Sequence, residues 1–352
     1  MNSKFNELLQ SVTEFSMSQF ENEYKKGSWG KGLLLYGLIA KNLYDNDKIA
    51  LNFVRKWVEQ SIQSQTAQGE LGGGDPSQTN FAIIGLSILF FATLEPEIKL
   101  FAVSAQKQAD YFVSQPLNRT DKGAIYYLKN AAQVWIDSVI MICPFLAKAG
   151  SFFDNPNYTA EAIRQLELHM EYLKDLETGL YCHIWDENQK KFYDRSLWGR
   201  GNGWILVSLI EVTEQLLDTH PKKRQLIAEI QRLVELLVLC QDELGFWRSY
   251  LDDVSENSKI ETAGTLIIIY ELSKAIRNGW VDPTYADYVL KGFDAVMSCI
   301  NEAGFVSNAS GPTIDPKHTP YNKPYPYAQA FFLITTLEVS KLLQFLKEKE
   351  LL

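Results

Sequence analysis

The chain has little cysteine and little histidine, four of each among 352 residues. Cys143, Cys182, Cys240 and Cys299 stand far apart and form no C-x-x-C pair, which excludes a disulfide framework and a cysteine-type zinc site. They read as reduced core residues. His169, His183, His220 and His318 show no metal-ligand spacing either. Basic residues are the minority, 34 against 43 acidic, for a formal net charge of −9. Nucleic acid is therefore not expected as a partner, because phosphate contacts need a basic surface. A small anionic ligand stays compatible, since a local field can oppose the global charge. No apolar run approaches the roughly 20 residues that span a bilayer. Residues 1–17 lack the basic-then-apolar pattern of a secretory signal. The reading is a cytoplasmic protein with no membrane partner. The nucleotide-binding glycine motifs and the G-x-S-x-G nucleophile elbow are also missing.

Helical periodicity is what the chain does have. Apolar residues return every three to four positions over about twelve segments, near 3–20, 32–44, 47–66, 77–93, 97–115, 131–149, 157–174, 202–217, 222–241, 261–277, 283–300 and 327–348. Asp75-Pro76 supplies a capping side chain before a proline at a first helical position. Asn130, with Gln133 three residues on, resembles a capping box for the sixth helix.

The links between these helices alternate in character. Those before even-numbered helices are long, and each holds a glycine followed within three residues by an apolar or aromatic side chain. They run Gly27-Ser-Trp29, Gly69-Glu-Leu71, Gly123-Ala-Ile-Tyr126, Gly179-Leu-Tyr181, Gly245-Phe-Trp247 and Gly304-Phe-Val306. This is a degenerate sixfold repeat of a helix pair. It predicts an all-α (α/α)6 barrel, a double toroid of six helical hairpins in one domain over residues 1–352. The even helices form the inner ring, and every decorated link lies on one face. An open solenoid is the rival; the apolar last helix (Ala330-Phe-Phe-Leu-Ile334) favours closure over a polar end cap.

Trp29, Tyr126, Tyr127, Tyr181, Trp185, Trp198, Trp204, Trp247 and Tyr325 fall in or beside the decorated links. Flat apolar faces with polar edges suit sugar rings, while packing of the links onto the toroid is the plainer reading for some of them. Asp137, near the start of the sixth helix, has Gln133, Val134, Ile140 and Met141 as helix-face neighbours. A carboxyl on such a stripe holds its proton more tightly, as a general acid requires. The competing reading is an aspartate favoured by the helix dipole. Asp75 is read as a cap or as a second carboxylate at the same mouth. In Trp198-Gly-Arg-Gly-Asn-Gly-Trp204, the glycines allow close backbone approach and Arg200 is able to meet a substrate carboxylate bidentately. His183 sits on the same face.

At these residues the chain resembles glycoside hydrolase family 105, the unsaturated rhamnogalacturonyl hydrolases, with the family 88 unsaturated glucuronyl hydrolases as relatives. The motifs are Trp198-Gly-Arg-Gly-Asn-Gly-Trp204, Gln133-Val-Trp-Ile-Asp137 with Pro144-Phe-Leu146, and Thr178-Gly-Leu-Tyr-Cys-His-Ile-Trp-Asp186. Gly245-Phe-Trp247 with Glu261-Thr-Ala-Gly264, and Trp29-Gly-Lys-Gly32 with Tyr36-Gly37, match as well. The resemblance implies the (α/α)6 barrel, no metal or organic cofactor, and hydration of the C4–C5 double bond that polysaccharide lyases leave on a uronic acid. It makes Asp137 the proton donor, Asp75 the second aspartate and His183 the active-site histidine. Trp29, Tyr126, Tyr127, Trp198, Arg200, Asn202 and Trp204 become substrate-binding candidates. The implied partner is a short unsaturated uronide, a disaccharide above all, met by a monomer or homodimer. One departure stands out: family members commonly carry a histidine about eleven residues before the acid, where this chain has Tyr126 or Tyr127. Two other readings remain open on the sequence, a sugar epimerase or isomerase with paired histidines on the same toroid, and a non-catalytic carbohydrate-binding protein.

Overall fold

The 3.6-residue periodicity resolves into twelve α-helices among the described residues. The computed structural model describes residues 3–21, 28–71, 75–115, 117–253, 255, 258–312, 319–321 and 323–351. Gly27, Gly72–Gly74 and His318 lie outside them. Six helices carry a single apolar stripe and form an outer layer: α1 (Ser3–Phe20), α3 (Lys48–Gln63), α5 (Lys99–Ser114), α7 (Pro156–Leu173), α9 (Lys223–Leu239) and α11 (Ala286–Met297). In α9 the buried positions are Leu226, Ile230, Leu233, Val234, Leu237 and Val238, one face of the helix. The other six are apolar nearly all round: α2 (Trp29–Asp45), α4 (Ile84–Leu94), α6 (Asp137–Phe153), α8 (Gly199–Glu214), α10 (Thr262–Arg277) and α12 (Pro326–Glu348). Every residue of α10 from Thr262 to Ile276 is buried. A helix hydrophobic on all sides must be surrounded by others, and these six form the inner ring.

The ring closes, so the solenoid alternative is set aside. Helix α12 packs between α10 and α2, with Phe331 against Trp204 and Tyr270. On its other side, Gly37 lies so near α12 that an added Cβ would stand 2.8 Å from the Cα of Ala330. Among the described residues no helix is long and apolar enough to cross a membrane.

The repeat glycines have a backbone cause. Gly69, Gly123, Gly179, Gly245 and Gly304 all have φ between 77° and 109°, a region closed to most side chains. Each turns the chain at the end of an outer helix into a tight hairpin, closed by bridges such as Gln241 with Trp247 and Ile300 with Val306. At Gly69 a Cβ would also meet the Lys107 carbonyl oxygen at 2.1 Å. Glycine is thus demanded by conformation and by contact with the next outer helix.

Two local expectations are corrected. Residues 131–136 do not begin the sixth helix, which starts at Asp137. Gln133–Trp135 is instead β1 of a small antiparallel sheet with β2 (Ile184–Asp186) and β3 (Lys191–Asp194), in the order β1-β2-β3. Val134 points into the core and Trp135 toward the mouth, the two-residue alternation of a strand; Asn130 therefore caps nothing. Nor does Asp75 cap a helix. Its Oδ1 accepts from Ser77 N at 2.7 Å, and Ser77 Oγ takes the capping bonds from Thr79 N and Asn80 N at 3.0 and 3.1 Å. A 3-10 turn, Asn80–Ile83, then leads into α4.

At the far mouth of the ring, Glu271 is buried with neither carboxyl oxygen partnered among the described residues. Lys274, one turn on, is already held by Glu211 and Glu214 at 2.5 and 2.6 Å. Burial first, then the charges of Glu211, Glu214 and Glu338 against the opposing Lys274, raise the Glu271 pKa well above the carboxylate range. The folded chain keeps a proton that the unfolded chain releases near pH 4.5. The Glu271 contribution to stability is therefore full below that pH and is lost as pH rises toward the folded pKa. Glu271→Gln should flatten this decline, checked by thermal melting of both proteins between pH 5 and 9.

Candidate active site

The decorated links meet at the N-terminal ends of the inner helices around a cavity of about 330 Å³, lined by Trp29, Tyr127, Trp135, Asp137, Trp198, Arg200 and Pro312. That volume lies at the small end of the ~300–1,000 Å³ typical of small-molecule sites. Among the described residues, grooves of about 700 and 730 Å³ elsewhere are lined by no buried side-chain polar atom that lacks a partner. The small cavity differs in this respect. Asp137 Oδ2, Trp198 Nε1 and Arg200 Nε are all buried without a hydrogen-bond partner among the described residues. Buried polar groups are normally satisfied, so this acceptor and these two donors are suited to a ligand.

A chain of ring contacts sets the walls. Tyr127 stacks on Trp135 with centroids 4.5 Å apart, Trp135 meets His183 edge-on, and His183 packs on Trp198. Arg200 lies over both Trp198 and Tyr327, 4.3 and 4.8 Å from their centroids. Tyr327 stacks on Trp29 at 4.8 Å and on Tyr325 at 5.5 Å. Flat walls of this kind hold a pyranose by its faces.

Asp137 is the first residue of α6 and lines the cavity. Its apolar surroundings differ from the expected helix stripe, because Gln133 and Val134 belong to β1. The aromatic walls take their place. Asp137 Oδ2 lies 3.4 Å from His183 Nε2, and the Asp137 side chain is 13% exposed. The contact is an ion-pair distance rather than an aligned hydrogen bond, and both atoms remain unpartnered. His183 is wholly buried, and its Nδ1 lies 2.8 Å from Asp194 Oδ2. Asp194 also accepts from Ser196 N and Oγ, each at 2.9 Å. Burial lowers the His183 pKa, but the nearby Asp137 carboxyl and the bond and charge of Asp194 outweigh it, and the net shift is upward. Burial likewise works to raise Asp194, and the bond to His183 overcomes it, leaving that carboxyl below its usual range.

Asp75 does not line the cavity. It stands behind Tyr127: the Tyr127 hydroxyl donates to Asn80 Oδ1 at 2.8 Å, and Asn80 Nδ2 reaches both Asp75 oxygens at 3.4 Å. Burial chiefly raises the Asp75 pKa, against the Ser77 and Asn80 bonds. Of the two tyrosines near the family's histidine position, Tyr127 therefore reaches the site. Tyr126 does not line the cavity, and burial first, then the charge of Glu187, raises its hydroxyl pKa. Tyr127→Phe should leave the Asn80 oxygen unpaired and cost about 1–3 kcal/mol of stability, read as a lowered melting temperature.

Arg200 is wholly buried, but it is not the free fork expected from the sequence. Its Nη1 donates to Glu261 Oε1 at 2.9 Å and to Ser310 O and Oγ at 3.0 and 2.5 Å. Its Nη2 donates to Gly311 O at 3.1 Å. Of five N–H groups, Nε–H and one on Nη2 are left. Glu261, the cap of α10, stood in a quoted motif without an assigned role, and it is a partner that fixes Arg200. Asn202 is also spent on structure, bonding Tyr181 N and O and Trp198 O between 2.9 and 3.0 Å. Trp204 is core, packed on Phe331. Tyr181 and Trp247 bear out the plainer reading, since both are buried and hold outer helix α9 through Glu229 and Leu237. Trp135, Asp194 and Pro312 were not singled out. Trp135 did stand in a quoted motif; Asp194 left no signal at all.

His169 is buried in α7 beside Gln165 O, with burial lowering its pKa to about 4. His220 lines an outer groove. Among the described residues only His183 stands next to a cavity residue of the acid wall, beside Asp137, Trp135 and Trp198, and one histidine does not supply the pair of the isomerase alternative.

The family model for Glycosyl Hydrolase Family 88 matches residues 3–343. The chain is 26% identical over 305 residues to the unsaturated rhamnogalacturonyl hydrolase YesR of Bacillus subtilis, covering 85% of this chain and 83% of that protein. It is 26% identical over 193 residues to an unsaturated 3S-rhamnoglycuronyl hydrolase of Alteromonas, covering 52% and 46%. A crystal structure described as a possible member of the GH105 family, from Salmonella enterica, superposes with a TM-score of 0.82 at 24% identity, over 97% of this chain and 94% of that one. The likeness in structure supports the barrel, and the match of the family model over nearly the whole length settles the rest: the chain belongs to Glycosyl Hydrolase Family 88 and is a glycoside hydrolase.

Proposed function

We propose that the enzyme removes a terminal 4,5-unsaturated uronic acid from short lyase-generated oligosaccharides by hydrating the C4–C5 double bond, with Asp137 as proton donor. The observation that carries this is the unpartnered Asp137 Oδ2, 3.4 Å from His183 Nε2, in a cavity whose other unpartnered atoms are donors. The names of the two curated relatives, both hydrolases of unsaturated uronides, point the same way.

In this reading the uronate carboxylate accepts from Arg200 Nε–H and Trp198 Nε1–H, and the ring lies between aromatic walls. The protonated Asp137 gives its proton to C4, using the π pair for the new C–H bond. Positive charge develops at C5 and the ring oxygen. Water adds at C5, and its proton returns to Asp137. The hemiketal at C5 then opens, leaving a ketone there and a hemiacetal at C1, whose collapse frees the neighbouring sugar and an aldehyde. No carboxylate attacks C1, so the carboxylate spacing used for ordinary glycosidases does not apply. Four cysteines without disulfides support a reducing compartment and hence a cytoplasmic role. We take the whole chain as one catalytic unit acting on disaccharides as a monomer or homodimer.

The experiment is a screen against lyase digests of pectin, ulvan and glycosaminoglycans. One digest should lose its enol-ether absorbance as sugar is released. Sugar release with the absorbance intact, or no turnover of any unsaturated uronide, would refute the assignment. Tight binding without turnover would favour the carbohydrate-binding alternative.

A further inference from the structure

We propose that Asp194 is a positioning residue, holding the His183 ring so that Nε2 faces Asp137 and a proton is kept beside the acid. The inference rests on the reaction just proposed and extends it to a residue that does not line the cavity.

Asp194 is the last residue of β3, and its backbone is paired with Ile184, the residue after His183. The hairpin therefore sets the distance between the two side chains. Asp194 Oδ2 takes Nδ1 of His183 at 2.8 Å and the Ser196 hydroxyl at 2.9 Å, while its Oδ1 takes Ser196 N at 2.9 Å. A carboxylate with three such bonds is fixed in place and stays ionised. Accepting from Nδ1–H selects the tautomer in which neutral His183 presents a bare Nε2. When His183 is protonated, its second N–H faces Asp137. The groups facing the imidazole are few. Asp137 comes from α6, Asp194 from β3, and the Trp135 and Trp198 rings cover it from β1 and the residue before α8. Both titratable neighbours among the described residues are carboxyl groups, and His183 is wholly buried between them, so a proton there is held by the Asp194 anion, joined by Asp137 once that acid has given up its own proton, and is screened from water.

The consequence for catalysis follows from balance. When Asp137 gives its proton to C4 it becomes an anion in an apolar wall. An imidazolium at 3.4 Å stabilises that anion until the proton of the attacking water returns. Without Asp194 the ring loses its anchor at Nδ1 and the tautomer that anchor selects, and its cation loses one of its two counter-charges.

The test reads His183 directly. The chain has four histidines, so imidazole signals are resolvable by proton–nitrogen NMR without substrate. In Asp194→Asn the His183 titration midpoint should fall by roughly one pH unit or more. The proton should redistribute between the two ring nitrogens, and kcat should drop at least ~10-fold with KM little changed. Asp194→Glu should restore part of both. If Asp194→Asn does not fold, Ser196→Ala, which removes one tether of Asp194, should shift the midpoint the same way by less. An unchanged His183 midpoint and tautomer in the folded variant would overturn the proposal. A shifted midpoint in an enzyme that turns over no unsaturated uronide would leave the relay standing and sink the reaction instead.

Discussion

Asp137→Asn is expected to lower kcat by about 10²–10⁴-fold, the usual contribution of a positioned general acid, while KM and melting temperature stay close to wild type. The amide keeps the shape of the carboxyl but has no proton to give. Stability should be spared because Asp137 Oδ2 has no hydrogen-bond partner to lose and the residue makes no side-chain cap for α6. His183 should respond as well. Its raised pKa depends in part on Asp137, so removing that charge should bring its midpoint down, though Asp194 still holds the other nitrogen. The rate is followed as loss of enol-ether absorbance. An asparagine variant with undiminished rate would mean that another group protonates the alkene.

The second large effect is expected in stability. Arg200→Met should destabilise the fold by about 3–5 kcal/mol, because removing one partner of a buried ion pair leaves the other charge uncompensated. Glu261 has no exposure to water, and it would keep only Ser310 and Gly264 as donors. The Arg200 guanidinium also joins the start of α8 to Ser310 and Gly311, in the segment before α12. Its loss should therefore loosen the floor of the cavity as well as the ring. The double variant Arg200→Met/Glu261→Met should recover most of the melting temperature, since replacing both members of a buried pair by apolar groups is often neutral. It should not recover activity, because Nε–H of Arg200 is assigned to the substrate carboxylate. Recovery of both would show that the arginine is purely structural. A small change in the single variant would show that Glu261 is not held as a charge.

What the sequence disclosed and what it hid follow from the range of the interactions. The sixfold repeat was legible because the left-handed turn at the end of an outer helix can hardly be made without glycine, so Gly69, Gly123, Gly179, Gly245 and Gly304 mark the links without reference to the rest of the chain. The inner ring was legible from helices that are apolar on all sides. Asp137, His183, Trp198 and Arg200 were found through local motifs; the fold brings Asp137, Trp198 and Arg200 to one cavity and His183 directly behind Asp137. β1 was missed because three residues are too few to display an alternation, and Asn130 with Gln133 mimics a helix start. Asp194 was invisible since only the β2–β3 hairpin brings it to His183. Glu261 could not be connected with Arg200 across 61 residues of chain, so the arginine was read as freer than it is. Asn202 and Trp204 were read from their company: the motif lies at the site, but residues two apart on a helix point to nearly opposite sides, and Trp204, a turn deeper than Arg200, packs on Phe331 in the core. The choice between Tyr126 and Tyr127 likewise needed the backbone.

The central claim is that a proton goes to C4 and water to C5. Its most direct test is a single turnover in D₂O with an unsaturated uronide disaccharide, quenched rapidly and read by mass and absorbance. One deuteron should reside on C4 for every sugar released, appearing together with loss of the enol-ether band. Release of the sugar with the double bond intact and no deuterium at C4 would contradict the account.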